Sequence, residues 1–125
     1  LLLIDKQSNE PIYEQIIRQY KTLIVKKILK SEEMLPSVRK MSVELSINPN
    51  TLQKAYSELE SLGICYSVAG TGRFISKDAR EIIKKDKGVS LNQLKKSVVN
   101  LALFDVSLEE IMQVVKRTYD EAQTS

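Results

Sequence analysis

The stretch Ile47 to Leu62, reading INPNTLQKAYSELESL, constrains this chain more than any other. Leu52, Ala55, Tyr56, Leu59 and Leu62 recur at helical spacing on one face, while Asn50, Gln53, Lys54, Ser57 and Ser61 fall on the other. Asn48 is a good N-cap, Pro49 suits the first helical position, where a missing N–H costs nothing, and Gly63 suits the residue past the end. The helix is therefore bounded at both ends and buried on one side only. Its free face opens with amides and hydroxyls, and amides can pair bidentately with an adenine edge in a DNA major groove. The stretch reads as a recognition helix.

Its flanks extend that reading. Ser37 is placed to cap a short helix to about Leu45, with Val38, Met41 and Leu45 inward and Arg39, Lys40 and Glu44 outward. A tight connection through Ser46 and Ile47 then completes a helix-turn-helix. Ile64 to Val68 alternates and is rich in strand formers, Ala69 to Gly72 is a glycine-containing turn, and Arg73 to Ser76 can return as a second strand. A helix-turn-helix followed by a hairpin is a winged helix. Gly70 and Gly72, with Thr71 between them, can bring backbone close to another surface, and Arg73 can reach a phosphate or a narrow minor groove. The plainer alternative is an ordinary hairpin with a solvated arginine. Tyr56 and Tyr66 are expected in the core or at its edge.

Upstream, Leu1 to Asp5 could form a short strand. Pro11 opens a helix to about Leu29, with Ile12, Ile16, Tyr20, Leu23, Ile24 and Ile28 as its apolar stripe and Glu14 placed to pair with Arg18. Downstream, a boundary at Ser76 to Asp78 divides a DNA-binding domain, residues 1–77, from a helical tail, residues 78–125. A helix begins near Asp78 and breaks at KKDKG, Lys84 to Gly88. Ser90 with Gln93, and Ser107 with Glu110, are capping-box signatures before two amphipathic runs. Leu91, Leu94, Val98, Leu101 and Phe104 mark the first; Leu108, Ile111, Met112, Val115 and Tyr119 mark the second. Two helices joined at Asp105 and Val106 carry more apolar face than they can bury against each other, which predicts a homodimer; the alternative is a monomer in which they pack back on the winged helix. The expected fold class is mainly α with a small β-hairpin: a winged helix-turn-helix and a short helical dimerisation tail.

Composition limits the alternatives. No run of 18 apolar residues is present, and Leu1 to Ile4 is too short for a secretory signal, so a soluble cytoplasmic protein is expected. A single cysteine, Cys65, and no histidine leave no disulfide, no metal cluster and no Ser/His/Asp set. No glycine-rich phosphate loop links a strand to a helix. Neither enzyme activity, a metal nor a cofactor is expected. Lys and Arg exceed Asp and Glu by 11 to 8 over residues 1–77 and balance beyond, a mild excess compatible with double-stranded DNA as partner.

PIYEQI at Pro11, LPSVR at Leu35, INPNT at Ile47 and GTGRFI at Gly70 together resemble the GntR family of bacterial transcription regulators, and the short tail resembles that of its YtrA-type subfamily. The resemblance implies that Arg39 contacts DNA from the second helix and that Asn48, Asn50, Thr51 and Gln53 lie at base edges or phosphates; Ser37, at the cap of that helix, is a further candidate for DNA contact. It also implies that the wing tip, Gly70 to Gly72, enters the minor groove. Lys54 is expected at a phosphate, and Asn48 mainly as a cap. The sequence departs from the family at Pro49 and Gln53, where many members carry Arg, at Ser46 in place of the turn glycine, and at Ser31 and Glu32 in place of Pro-Gly. The resulting expectation is a dimeric regulator, a repressor, on an inverted-repeat operator. The alternative is a winged-helix protein-interaction module with only non-specific DNA affinity. A small-molecule effector is unknown; Phe104, Met112 and Tyr119 are the residues that could line a pocket for one between subunits.

Overall fold

The computed structural model describes residues 1–124, without the side chains at 88 and 89. Pro11 precedes helix α1, Ile12–Val25, and its carbonyl takes the Gln15 amide at 3.1 Å. The apolar stripe predicts a longer helix, but Lys27 turns to a left-handed φ of 60° and the amides of Ile28 and Leu29 fold back onto the Leu23 carbonyl. This reversal drives Leu29 into the core and leaves Ile28 56% exposed, opposite to its expected place on the stripe. Arg18 pairs with Glu10 at 2.9 Å rather than with Glu14, because Glu10 approaches from the turn before the helix.

Residues 1–5 are not a strand. Two glutamine side chains of α1 pair with this segment's backbone as a neighbouring strand would. Gln19 accepts from the Leu3 amide at 2.7 Å and donates to its carbonyl at 2.6 Å, and Gln15 repeats the pattern at Asp5, both bonds at 2.9 Å. Gln15 is 2% exposed, and its amide is fully used because it also donates to the Glu10 carbonyl at 2.9 Å. Leu2 is thereby fixed in the core.

Helix α2, Val38–Leu45, is capped as expected: Ser37 Oγ accepts from the Lys40 amide at 3.1 Å. Met41 is buried, whereas Val38 and Leu45 are only half-buried. Ser46 takes the turn in the left-handed region, φ 53° and ψ 47°, the conformation a glycine would adopt without strain. Lys6 holds it there, donating to the Ser46 carbonyl at 2.8 Å. Helix α3, Pro49–Ser61, buries Leu52, Ala55, Tyr56 and Leu59. Leu62 is the C-cap and 37% exposed, so it lies off that face; Gly63 follows at φ 81°.

Strands β1, Cys65–Val68, and β2, Gly72–Ile75, pair antiparallel with Val68 opposite Gly72. The Thr71 amide closes the turn onto the Val68 carbonyl at 3.0 Å, with Gly70 at φ 75° in the third place, as a type II turn requires. Residues 32–35 run along the other edge of β2 through bonds from Glu32 and Leu35 to Ile75 and Arg73 carbonyls at 2.7 and 2.9 Å. The wing is thus anchored on both sides. Glu32 stands at φ 69°, occupying with a side chain the position of the missing glycine.

Helix α4, Ala79–Lys85, packs on α1 through a fully buried Ala79, with Ile82 and Ile83 against the same core. The first compact unit accordingly runs through Lys85, past the boundary expected at residue 77. The second unit, which begins at Asp86, contains α5, Lys87–Leu103, and α6, Leu108–Thr124. Helix α5 starts directly after Asp86, so Ser90 lies inside it and caps nothing, whereas Ser107 Oγ does cap α6, accepting from the Glu110 amide at 3.1 Å. Asp105, at φ 63°, makes the turn between them. Within this unit Ile111 is buried and Val98 half-buried, but Leu94, Leu101, Phe104, Leu108, Met112, Val115 and Tyr119 are all exposed.

Candidate nucleic-acid interface

A buried tyrosine pair fixes the elements that carry the site. Tyr20 of α1 and Tyr56 of α3 meet edge to face, centroids 5.7 Å apart, and share a 2.8 Å hydroxyl–hydroxyl hydrogen bond. Tyr56 donates its own proton to the Pro36 carbonyl at 2.8 Å, so the shared bond is donated by Tyr20. This chain ties the residue before the α2 cap to both longer helices. Burial pushes both hydroxyls' pKa values up, which keeps them protonated donors. Cys65, also buried, lies 3.9 Å from the Tyr56 carbonyl, and desolvation lifts its thiol to about 11, so it is an unreactive core residue at neutral pH.

On the outer side, a groove of about 470 Å³ opens between the α2 cap, the start of α3 and the wing. Ser37, Gln53, Thr71, Gly72 and Arg73, all anticipated from sequence, line it together. Lys40 lines it too, although the sequence reading placed it only on the outward face of α2; its spacing from the Ser37 cap was the available signal. Asn50 and Gln53 are exposed on one face of α3, with Thr51 half-buried between them. Gln53 donates to Ser57 Oγ at 3.1 Å, a bond exposed to water and easily exchanged. Asn48 has its side-chain oxygen committed to the Asn50 amide at 2.8 Å, which confirms the cap.

The cations are held differently from one another. Arg39 is exposed, with no ion pair among the described residues. Lys54 lies 3.9 Å over the ring of Tyr13, at the start of α1, a cation–π contact that sequence spacing could not show. Arg73 does not extend from the wing tip. Its guanidinium sits 5.4 Å from the Tyr56 ring, its Nε is 3.7 Å from Glu60, and that Nε is buried without a hydrogen bond. Glu60 also accepts from Ser67 of β1, so a single carboxylate ties the wing to α3. The wing tip itself, Gly70 and Thr71, is exposed. Among the described residues no group of His, Cys, Asp and Glu could hold a metal, and no helix is long and apolar enough to cross a membrane.

Residues 12–75 match the model of the bacterial regulatory proteins of the gntR family. The chain belongs to this family. Its gntR-type winged helix is continuous with a wider likeness: the chain is 39% identical to the HTH-type transcriptional repressor YtrA of Bacillus subtilis over 93% of its own length and 90% of that protein's. A GntR family transcriptional regulator from Listeria monocytogenes superposes with a TM-score of 0.68 at 32% identity, covering 89% of this chain and 97% of that one. YtrA from Sulfolobus acidocaldarius, a GntR-family transcription factor, covers 98% and 99% at a TM-score of 0.55 and 30% identity. The gntR-family relatives are transcriptional regulators rather than enzymes.

Proposed function

We propose that this gntR-family regulator is a homodimeric, cytoplasmic repressor that binds an inverted-repeat DNA operator. The observation that carries the reading is the convergence of Ser37, Lys40, Gln53, Thr71 and Arg73 on one groove beside the exposed, capped start of α3. Asn50 and Gln53 read base edges in the major groove; Asn48, Thr51, Lys40, Lys54 and Arg39 meet phosphates, and Gly70 to Gly72 follow the backbone into the minor groove. Arg73, seated on Tyr56 and Glu60, meets a phosphate at the root of the wing instead of reaching from its tip.

Dimerisation is supported by the tail. Leu94, Val98, Leu101, Phe104, Leu108, Ile111, Met112, Val115 and Tyr119 give α5 and α6 an apolar face that is largely uncovered in one chain. A two-fold pair of α3 helices would read half-sites about 34 Å apart, or a multiple of that. Repression is proposed from the relative named as a repressor. The test is competition between an operator duplex and a scrambled duplex. Gln53→Ala should relax preference at one base pair, at a cost of about 1–3 kcal/mol, while Lys54→Ala weakens every duplex alike. Unchanged preference in Gln53→Ala would refute the assignment.

A further inference from the structure

A second pocket, of about 340 Å³, lies within the first unit where the end of α1 meets α4, and it shares no residue with the groove. It is lined by Ile24, Leu29 and Ser31 with Lys27, Lys30, Lys77, Arg80 and Glu81. Four cations against one carboxylate give this lining a formal +3, the net charge of the whole chain. No ion pair to these cations is present among the described residues. Two bonds hold the walls together: Arg80 Nε donates to the Val25 carbonyl and Ser31 Oγ to the Lys77 carbonyl, each at 2.9 Å. Stabilisation of a helix end accounts for Arg80, which satisfies a carbonyl of the last turn of α1. It does not account for three lysines converging on the same opening.

We propose that this pocket binds a small polyanion, a phosphate-bearing or polycarboxylate metabolite, with its charged end among Lys27, Lys30, Lys77 and Arg80. Like charges gathered around one opening repel each other, and a multiply charged anion relieves that repulsion while the buried Ile24 and Leu29 form an apolar floor. The volume falls within the range of small-molecule sites, which begins at roughly 300 Å³. Occupancy would bridge α1 to α4, the last helix of the first unit.

The probe is pyrophosphate, titrated calorimetrically into the full chain at constant ionic strength, with inorganic phosphate alongside. Saturable binding, tighter for pyrophosphate than for phosphate and weakened at least tenfold by combined Lys27→Gln, Lys30→Gln and Lys77→Gln, is the expected result. Arg80 stays in place because it holds the end of α1. If the combined variant melts below the parent, Lys77→Gln alone, at an exposed side chain, must still weaken binding. Absence of saturation, or equal affinity in the variants, overturns the proposal. So does displacement of pyrophosphate by a random-sequence duplex, which would make the pocket part of a DNA-facing surface. Operator preference is not involved in any of these readouts, so failure here leaves the operator reading standing.

Discussion

Removing the Tyr56 hydroxyl tests how the winged helix is held together. Tyr56→Phe deletes both the donation to Pro36 and the bond accepted from Tyr20, each 2.8 Å long. At about 1 kcal/mol per bond, with a further cost for stranding the Pro36 carbonyl, the loss is roughly 2–3 kcal/mol. Tyr20→Phe removes only the shared bond and leaves Tyr56 donating to Pro36, so it should cost about 1 kcal/mol. Because either substitution abolishes the shared bond, and Tyr20→Phe also removes the buried hydroxyl that Tyr56→Phe strands, the double variant should cost no more than Tyr56→Phe alone, a coupling of at least about 1 kcal/mol. Urea titrations of the four proteins, followed by far-UV circular dichroism, measure all three differences. In a unit of this size Tyr56→Phe should lower the melting temperature by on the order of 10 °C. Equal losses for the two single variants, or strictly additive losses, would refute the Tyr20–Tyr56–Pro36 relay.

Four further outcomes follow from the same geometry. Gly72→Ala should destabilise more than Gly70→Ala, since both positions have positive φ but only at Gly72 would the new Cβ meet Met34, 3.2 Å from its sulfur; thermal melts compare them. Ser46→Gly should raise stability by roughly 0.5 kcal/mol by relieving the left-handed turn, read as a shift in the urea midpoint. Glu60→Gln should weaken binding to all duplexes together, because it loosens Arg73 and Ser67 without touching a base reader, and electrophoretic mobility shifts on operator and scrambled DNA would reveal any selective effect. Stability should fall in alkali. The Cys65 thiol is raised from 9.0 to about 11 and the Tyr20 and Tyr56 hydroxyls are raised too, so above pH 9 the unfolded chain loses protons that the folded chain keeps. The Cys65 contribution is present below pH 9 and is lost as pH rises to about 11; a Cys65→Ala variant should show a shallower decline.

Local chemistry was the legible part of this sequence. The caps Ser37, Asn48 and Ser107 each act within three residues, so their signatures survive without knowledge of the fold. Alternating strand formers around Gly70 and Gly72 marked the hairpin for the same reason. Ser90 shows the limit of that logic, since a capping pair inside a longer helix has the same spelling as one at its start. The end of α1 was misread because Lys27, not a glycine, takes the left-handed turn. What was hidden depends on contacts distant in sequence: Gln15 and Gln19 standing in for a strand, residues 32–35 along β2, Lys54 over Tyr13 and Arg73 turned back to Glu60. In the groove the polar residue types were readable, but their convergence with Lys40 required the fold.

Everything proposed for the operator depends on two copies of this chain reading one inverted repeat. Selection of bound duplexes from a random pool at near-physiological salt, with the mass of the recovered complex measured, addresses it most directly. A homodimer on an inverted repeat should yield an enriched two-fold-symmetric sequence occupied by two chains. A pool without enrichment, or a single chain bound to any duplex, would contradict it.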